Sequence, residues 1–122
     1  MLFKDNEHSE RFNKLLEAWS VNSSDTYRTA LAYLIALDAI TYKHHDELYD
    51  NSDKCIIPEG VHAAWQTGTT TKLTRLAFNL FTASLLWCND DELFYCSPDA
   101  IFDCSYAPYF TEALKIRFSC YF

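Results

Sequence analysis

The strongest constraint on the fold is a run of eight consecutive apolar residues at positions 30–37. The run lies inside a longer helical pattern that begins near Thr26 and extends to about Tyr49. A helix that is apolar on every face has to be covered on most sides. We therefore predict a second helix over residues 26–49 whose first half is central and buried. Its second half, residues 43–47, is polar and should reach the surface.

Further helical patterns flank this one. Apolar side chains recur with helical spacing over residues 7–20, and a third helix is predicted over residues 71–86 with Leu85 on its inner face. Pro108 can begin the last helix. The chain has only two glycines and three prolines, too few for the many tight turns of an all-β domain. We predict a compact, mainly α fold, a single domain over residues 1–122 with at most a short β element, for which residues 55–57 are the candidate.

Two residues outside the regular apolar pattern are expected in the interior. Asp38 directly follows the apolar run, which suggests a buried acid paired with Arg28 or Arg75. Residues 61–66 are expected to form a short helix that buries Trp65.

The charge of the chain is concentrated in one region. The formal net charge is −7, and residues 76–114 contain no lysine or arginine. A protein that grips nucleic-acid phosphates needs a surplus of basic residues, so direct nucleic-acid binding is disfavoured. The acidic region is either an irregular solvated loop or a face that docks on a basic protein surface. Its candidate partner-binding residues are acids and the tyrosines interleaved with them, namely Asp90, Asp91, Glu92, Tyr95, Asp99, Tyr106 and Tyr109.

The N-terminus carries charged residues from Lys4 onward, which does not match a signal peptide. No apolar run reaches the roughly 18 residues that a membrane-spanning helix needs. We therefore expect a soluble protein of a reducing cytoplasm, with its five cysteines as free thiols. Cys88, Cys96 and Cys104 are spaced eight residues apart, which is not the spacing of a local zinc motif, and free cysteines are often simply buried.

Two stretches support a family resemblance. One is AWQTGT at 64–69, continuing as TRLAFNL at 74–80, and the other is IFDCSYAPYF at 101–110, continuing as EALKIR at 112–117. Together they resemble a family of small uncharacterised proteins that are common in Gram-positive bacteria, their phages and mobile elements. Relatives in that family often carry Cys-Cys where this chain has Asp103-Cys104, and a histidine where His44 stands. The resemblance implies a structural zinc held by His44 and Cys104, with Asp103 or Cys96 completing the site.

The chain is also similar, in its size and acidity, to anti-CRISPR proteins, including inhibitors of Cas9. The resemblance implies a phage or mobile-element inhibitor, not an enzyme, that binds a defence protein such as Cas9 and blocks its engagement of nucleic acid. It would act in the cytoplasm of the bacterial host. The alternatives are a zinc hydrolase, a thiol enzyme that uses Cys104 with His44, and a regulatory module with another protein partner.

Overall fold

The computed structural model describes all residues, 1–122. Six α-helices are formed: α1 (Asn6–Ala18), α2 (Thr26–Leu37), α3 (Ala39–Lys43), α4 (Gly68–Thr82), α5 (Pro98–Phe102) and α6 (Ala107–Arg117). Two short strands, β1 (Tyr49–Asp50) and β2 (Cys55–Ile56), pair antiparallel, and 3₁₀ turns cover His45–Glu47, Pro58–His62, Asp90–Cys96 and Ser119–Tyr121. The prediction of a mainly α fold with a short β element at 55–57 is confirmed. None of these helices combines the length and the apolar character that a membrane-spanning helix requires.

Helix α2 is the centre of the fold. Every residue from Ala30 to Leu37 is buried, and α2 packs against α1, α4 and α6. An apolar surface on all sides of a helix is stable in water only when neighbours cover all of those sides. The predicted central, buried helix is therefore confirmed for residues 30–37.

The predicted continuation of this helix to residue 49 is wrong, because the chain breaks at Asp38. Asp38 adopts an extended conformation, with φ −118° and ψ 131°, and its carboxylate accepts the backbone N–H groups of Ile40 and Thr41. A side-chain oxygen in this position satisfies amide groups that lack a partner at a helix start. Asp38 therefore ends α2 and caps a separate helix, α3.

The predicted buried ion pair of Asp38 is also wrong. Asp38 is partly exposed and accepts a hydrogen bond of 2.8 Å from the Tyr106 hydroxyl. Arg28 pairs instead with Asp25 at 2.8 Å, and Arg75 pairs with Glu92. Asp38 therefore needs no basic partner. It caps a helix at the protein surface, and backbone amides and the Tyr106 phenol supply its hydrogen bonds.

Helix α4 is displaced from its predicted range of 71–86. It begins at Gly68 because Thr67 and Thr70 cap each other reciprocally, the side chain of each accepting the backbone N–H of the other. It ends at Thr82 because Ala83 adopts a left-handed conformation with φ 53°. Leu85, predicted on the inner face of this helix, therefore lies beyond its end and is exposed.

The connector between β2 and α4 also differs from its prediction. The helical turn lies at Pro58–His62 rather than at 61–66. Trp65 is half-buried, and its ring stacks in parallel on His44 with ring centroids 4.7 Å apart. The imidazole of His44 therefore shields one face of the Trp65 indole from water.

Candidate functional site

The region that follows α4, Ser84–Ser97, leaves the helical body at the turn formed by Ala83. Trp87 anchors its first half. The indole N–H donates to the Ser84 carbonyl at 2.8 Å, and the ring packs edge-on against Phe78 with centroids 5.3 Å apart. Phe78 is fully buried on α4, so this contact ties the segment directly to the core.

Glu92 anchors the second half. Its carboxylate lies 3.5 Å from the Arg75 guanidinium of α4 and 3.2 Å from Nε2 of His62. The same guanidinium lies over the ring of Tyr95, 5.1 Å from its centroid. Arg75 and Glu92 are largely shielded from water, with side chains 14% and 19% exposed, so their attraction is screened less than that of a surface pair. The 3₁₀ turn over 90–96, predicted as an irregular loop, is held against α4 by these contacts.

The segment around this turn exposes both apolar and acidic side chains. Leu86 is 96% exposed, Phe94 is 71% exposed and Tyr95 is half exposed. Asp90 and Asp91 lie between them in sequence, are exposed, and form no salt bridge in the chain. We call this set, Leu86, Asp90, Asp91, Phe94 and Tyr95, the docking face. Exposed large apolar side chains that follow one another closely along a surface segment are a candidate surface for binding another molecule.

The predicted partner-binding residues are divided between the surface and the interior. Asp90, Asp91 and Tyr95 lie on the docking face, and Asp99 is exposed at the start of α5. Glu92 faces Arg75, as described above. Tyr106, which directly precedes α6, and Tyr109 within it are half-buried against other helices: Tyr106 donates its hydroxyl proton to Asp38, and Tyr109 packs edge-on to the His8 ring.

The four predicted zinc ligands lie in separate environments. His44 stacks on Trp65 and bonds to the Glu47 carboxylate through Nδ1. The thiol of Cys104 donates to the Ile101 carbonyl at 3.7 Å, whereas Asp103 is exposed and its backbone carbonyl accepts a hydrogen bond from Lys72.

Cys96 faces Cys88 rather than any of the other three predicted ligands. No three side chains of His, Cys, Asp or Glu converge as a metal-binding group anywhere in the chain. As arranged, these residues do not fit a four-ligand zinc centre, and the zinc site stays a prediction.

The contact between Cys88 and Cys96 was not predicted. Their sulfurs lie 3.8 Å apart across the 3₁₀ turn that carries the docking face. Burial, together with the hydrogen bond to Cys96, raises the pKa of Cys88 to about 11. The sequence holds no signal that distinguishes this pair, because Cys96 and Cys104 have the same spacing of eight residues.

Two cavities border this cysteine pair, one lined by each cysteine. The larger has a volume of about 430 Å³ between α4, α5 and α6, and its lining is mostly apolar and includes Cys96. The smaller, of about 190 Å³, lies beside the 58–62 turn, and its lining includes Cys88, His62 and Glu92. Each sulfur is therefore adjacent to a space that small molecules can enter.

The fold and this surface define a small helical protein with an acidic, aromatic segment held on its outside by Trp87 and Glu92. The chain belongs to a family of unknown function, DUF6075, whose model matches residues 1–122. No curated protein matches the chain. No solved structure matches it either.

Proposed function

We propose that the protein is a phage or mobile-element inhibitor that binds a defence protein of the bacterial host, with Cas9 as the first candidate, and blocks its engagement of nucleic acid. The proposal depends on one observation, the docking face, in which exposed leucine, phenylalanine and tyrosine share one surface segment with two aspartates that form no salt bridge. In this proposal the protein acts in the host cytoplasm by occupying a surface, not by catalysing a reaction.

The composition of the docking face supports a protein partner with a basic surface. Aromatic side chains dominate the binding energy of many interfaces, and acids around them favour encounter with a positive patch. Cas9 carries positively charged channels that hold the guide–target duplex, and an acidic protein can compete for such a surface. The absence of lysine and arginine from residues 76–114 removes the like-charge repulsion that basic side chains would add.

The apolar part of the docking face sets the scale of the expected effects. Complete burial of a leucine or phenylalanine side chain is worth about 1.5–3 kcal/mol. A change of 1.4 kcal/mol corresponds to about tenfold in the dissociation constant. Loss of the Phe94 ring should therefore weaken binding by roughly ten- to hundredfold.

The test is a binding titration of the purified protein against Cas9, with and without guide RNA, at low and moderate salt. We expect binding that weakens as salt rises, and inhibition of target cleavage when the protein is added before the target DNA. Phe94→Ser should weaken binding. Phe122→Ser is the matched control, because Phe122 is also 71% exposed but lies at the C-terminus, outside the docking face. Absence of binding at both salt concentrations would refute Cas9 as the partner.

The acidic part of the docking face is tested separately. Asp91→Asn should reduce the association rate and the salt dependence, because exposed interface charges act mainly on the encounter step. Asp53→Asn removes the same charge from an exposed position near the β-hairpin and should leave both unchanged. Equal effects of the two substitutions would assign the salt dependence to net charge alone and would remove the docking face from the proposal.

The structural zinc that the resemblance implies is an independent proposal. Elemental analysis of the purified protein tests it without any partner. For the predicted ligands to hold about one zinc per chain, His44 and Cys104, with Asp103 or Cys96, would have to leave their present contacts and converge on the ion. Substoichiometric zinc that a chelator removes without loss of helicity would refute it.

A further inference from the structure

We propose that Cys88 and Cys96 are a reversible disulfide site, which a low-molecular-weight disulfide oxidises by thiol exchange. Their sulfurs lie 3.8 Å apart, and both side chains are partly exposed. A disulfide has an S–S length of about 2.05 Å, so the sulfurs have to approach each other by about 1.8 Å. The inference concerns the chemistry of the segment and does not depend on the identity of any partner.

The other cysteines of the chain do not form a second pair. Cys55 and Cys120 are exposed and contact no sulfur, and the thiol of Cys104 is directed to the Ile101 carbonyl. Cys96 is as far from Cys104 in sequence as it is from Cys88, so an unfolded chain would close either ring at nearly equal entropic cost. The folded chain brings only Cys88 and Cys96 together, and this selectivity distinguishes the site from random oxidation.

The two sulfurs have different roles in the exchange. Burial, and then the hydrogen bond to Cys96, raise the pKa of Cys88, which makes its thiolate scarcer than that of an ordinary thiol, and we therefore assign the first attack to Cys96. Its access is through the apolar cavity that it lines. The Cys96 thiolate attacks one sulfur of the reagent, forms a mixed disulfide and releases one reagent thiolate. The Cys88 sulfur, on losing its proton to that thiolate, then attacks the Cys96 sulfur and releases the second reagent thiolate.

The reaction is balanced with no other reactant. Two protein thiols are oxidised to one disulfide, and one reagent disulfide is reduced to two thiols, with two electrons and two protons transferred. The product closes a ring across residues 88–96, which carry four of the five residues of the docking face. We expect slower amide hydrogen exchange over this ring in the oxidised protein, because a covalent bridge restricts local opening.

The experiment incubates the folded protein with oxidised glutathione, quenches it with acid, and then alkylates the remaining thiols in denaturant. Digestion after glutamate places Cys88 in peptide 60–92 and both Cys96 and Cys104 in peptide 93–112. We expect the two peptides to remain joined without reductant, and three of the five cysteines to be alkylated. In protein unfolded in urea before oxidation, the Cys96–Cys104 bridge, which lies within one peptide, should form about as often as the Cys88–Cys96 bridge.

Single cysteine-to-serine substitutions identify which two sulfur atoms form the disulfide. Cys104→Ser should retain the joined peptides, whereas Cys88→Ser should abolish them and leave a glutathione mixed disulfide on Cys96. Cys96→Ser should also abolish the link and should take up glutathione more slowly at Cys88. Alkylation of all five cysteines in the folded protein, a bridge to Cys104, or equal pairing in the folded and unfolded chains would each overturn the proposal.

Discussion

The hydrogen bond between Tyr106 and Asp38 allows a quantitative test of how the α2–α3 junction is held. One carboxylate oxygen of Asp38 caps α3 through two N–H groups at 3.0 Å, and the other accepts the Tyr106 hydroxyl proton at 2.8 Å. Burial, and then the bond to Asp38, raise the pKa of Tyr106 far above its ordinary value, so the phenol remains a donor throughout the neutral range. The contact joins two residues that are 68 positions apart.

The expected losses in the free energy of unfolding follow from the two roles of Asp38, as a helix cap and as the acceptor of the Tyr106 hydroxyl proton. A hydrogen bond to a charged group contributes about 1.5–3 kcal/mol, and partial exposure of this one reduces our expectation for Tyr106→Phe to about 1–2 kcal/mol. A capping carboxylate contributes a further amount of about 1 kcal/mol. Asp38→Ala loses both interactions and should lower the free energy of unfolding by about 2–3 kcal/mol. Asp38→Asn keeps the cap and should cost less than Asp38→Ala.

Urea unfolding followed by far-ultraviolet circular dichroism measures these changes, and a double-mutant cycle isolates the pair. We expect Asp38→Ala and Tyr106→Phe to show a coupling of about 1 kcal/mol, since residues in direct contact do not act additively. Tyr109→Phe is the control, because the Tyr109 hydroxyl makes no hydrogen bond in the chain although its ring is also half-buried. Additive effects of Asp38 and Tyr106, or equal losses for the two tyrosines, would refute the assigned role.

Two further predictions concern stability. Gly60→Ala should destabilise the fold by about 1–3 kcal/mol, because a Cβ there would overlap the Glu47 carbonyl and the Leu48 side chain, whereas Gly68→Ala, with open space at the start of α4, should be neutral or slightly stabilising in the same urea assay. Burial lowers the pKa of His8 below its ordinary 6.5. The unfolded chain therefore binds the proton more readily, and stability present above about pH 6.5 should be lost as the pH falls below it. His8→Asn should flatten this dependence, and an unchanged slope would contradict the role of His8.

The sequence predicted the centre of the fold well because its signal is local. Eight consecutive apolar residues leave no face of a helix for water, whichever neighbours cover it. The break at Asp38 could not be predicted in the same way. Residues 39–43 continue to form a helix, and Asp38 interrupts the pattern only by turning its carboxylate onto the amides of the next turn. The partner of its second oxygen, Tyr106, comes from the other end of the chain.

The candidate site was predictable only as a region. The missing basic residues located the acidic segment, and the exposure of Asp90 and Asp91 followed from their charge. Glu92 belongs to the same run of acids, yet it faces inward because the 3₁₀ turn places it beside Arg75. A run of three like charges contains no information about which member meets a cation, since that depends on the turn geometry.

The docking face is held in place by a few side-chain contacts at its inner side and not by the hydrophobic core. No residue between 81 and 100 is fully buried, so the docking face contributes little to the hydrophobic core around α2. Its conformation depends instead on Trp87 and Glu92, whose side chains face the body of the protein. Substitutions at Leu86 or Phe94 therefore change the surface offered to a partner at almost no cost in folding free energy. A loss of binding in such a variant, with unchanged unfolding, would report on the interface itself.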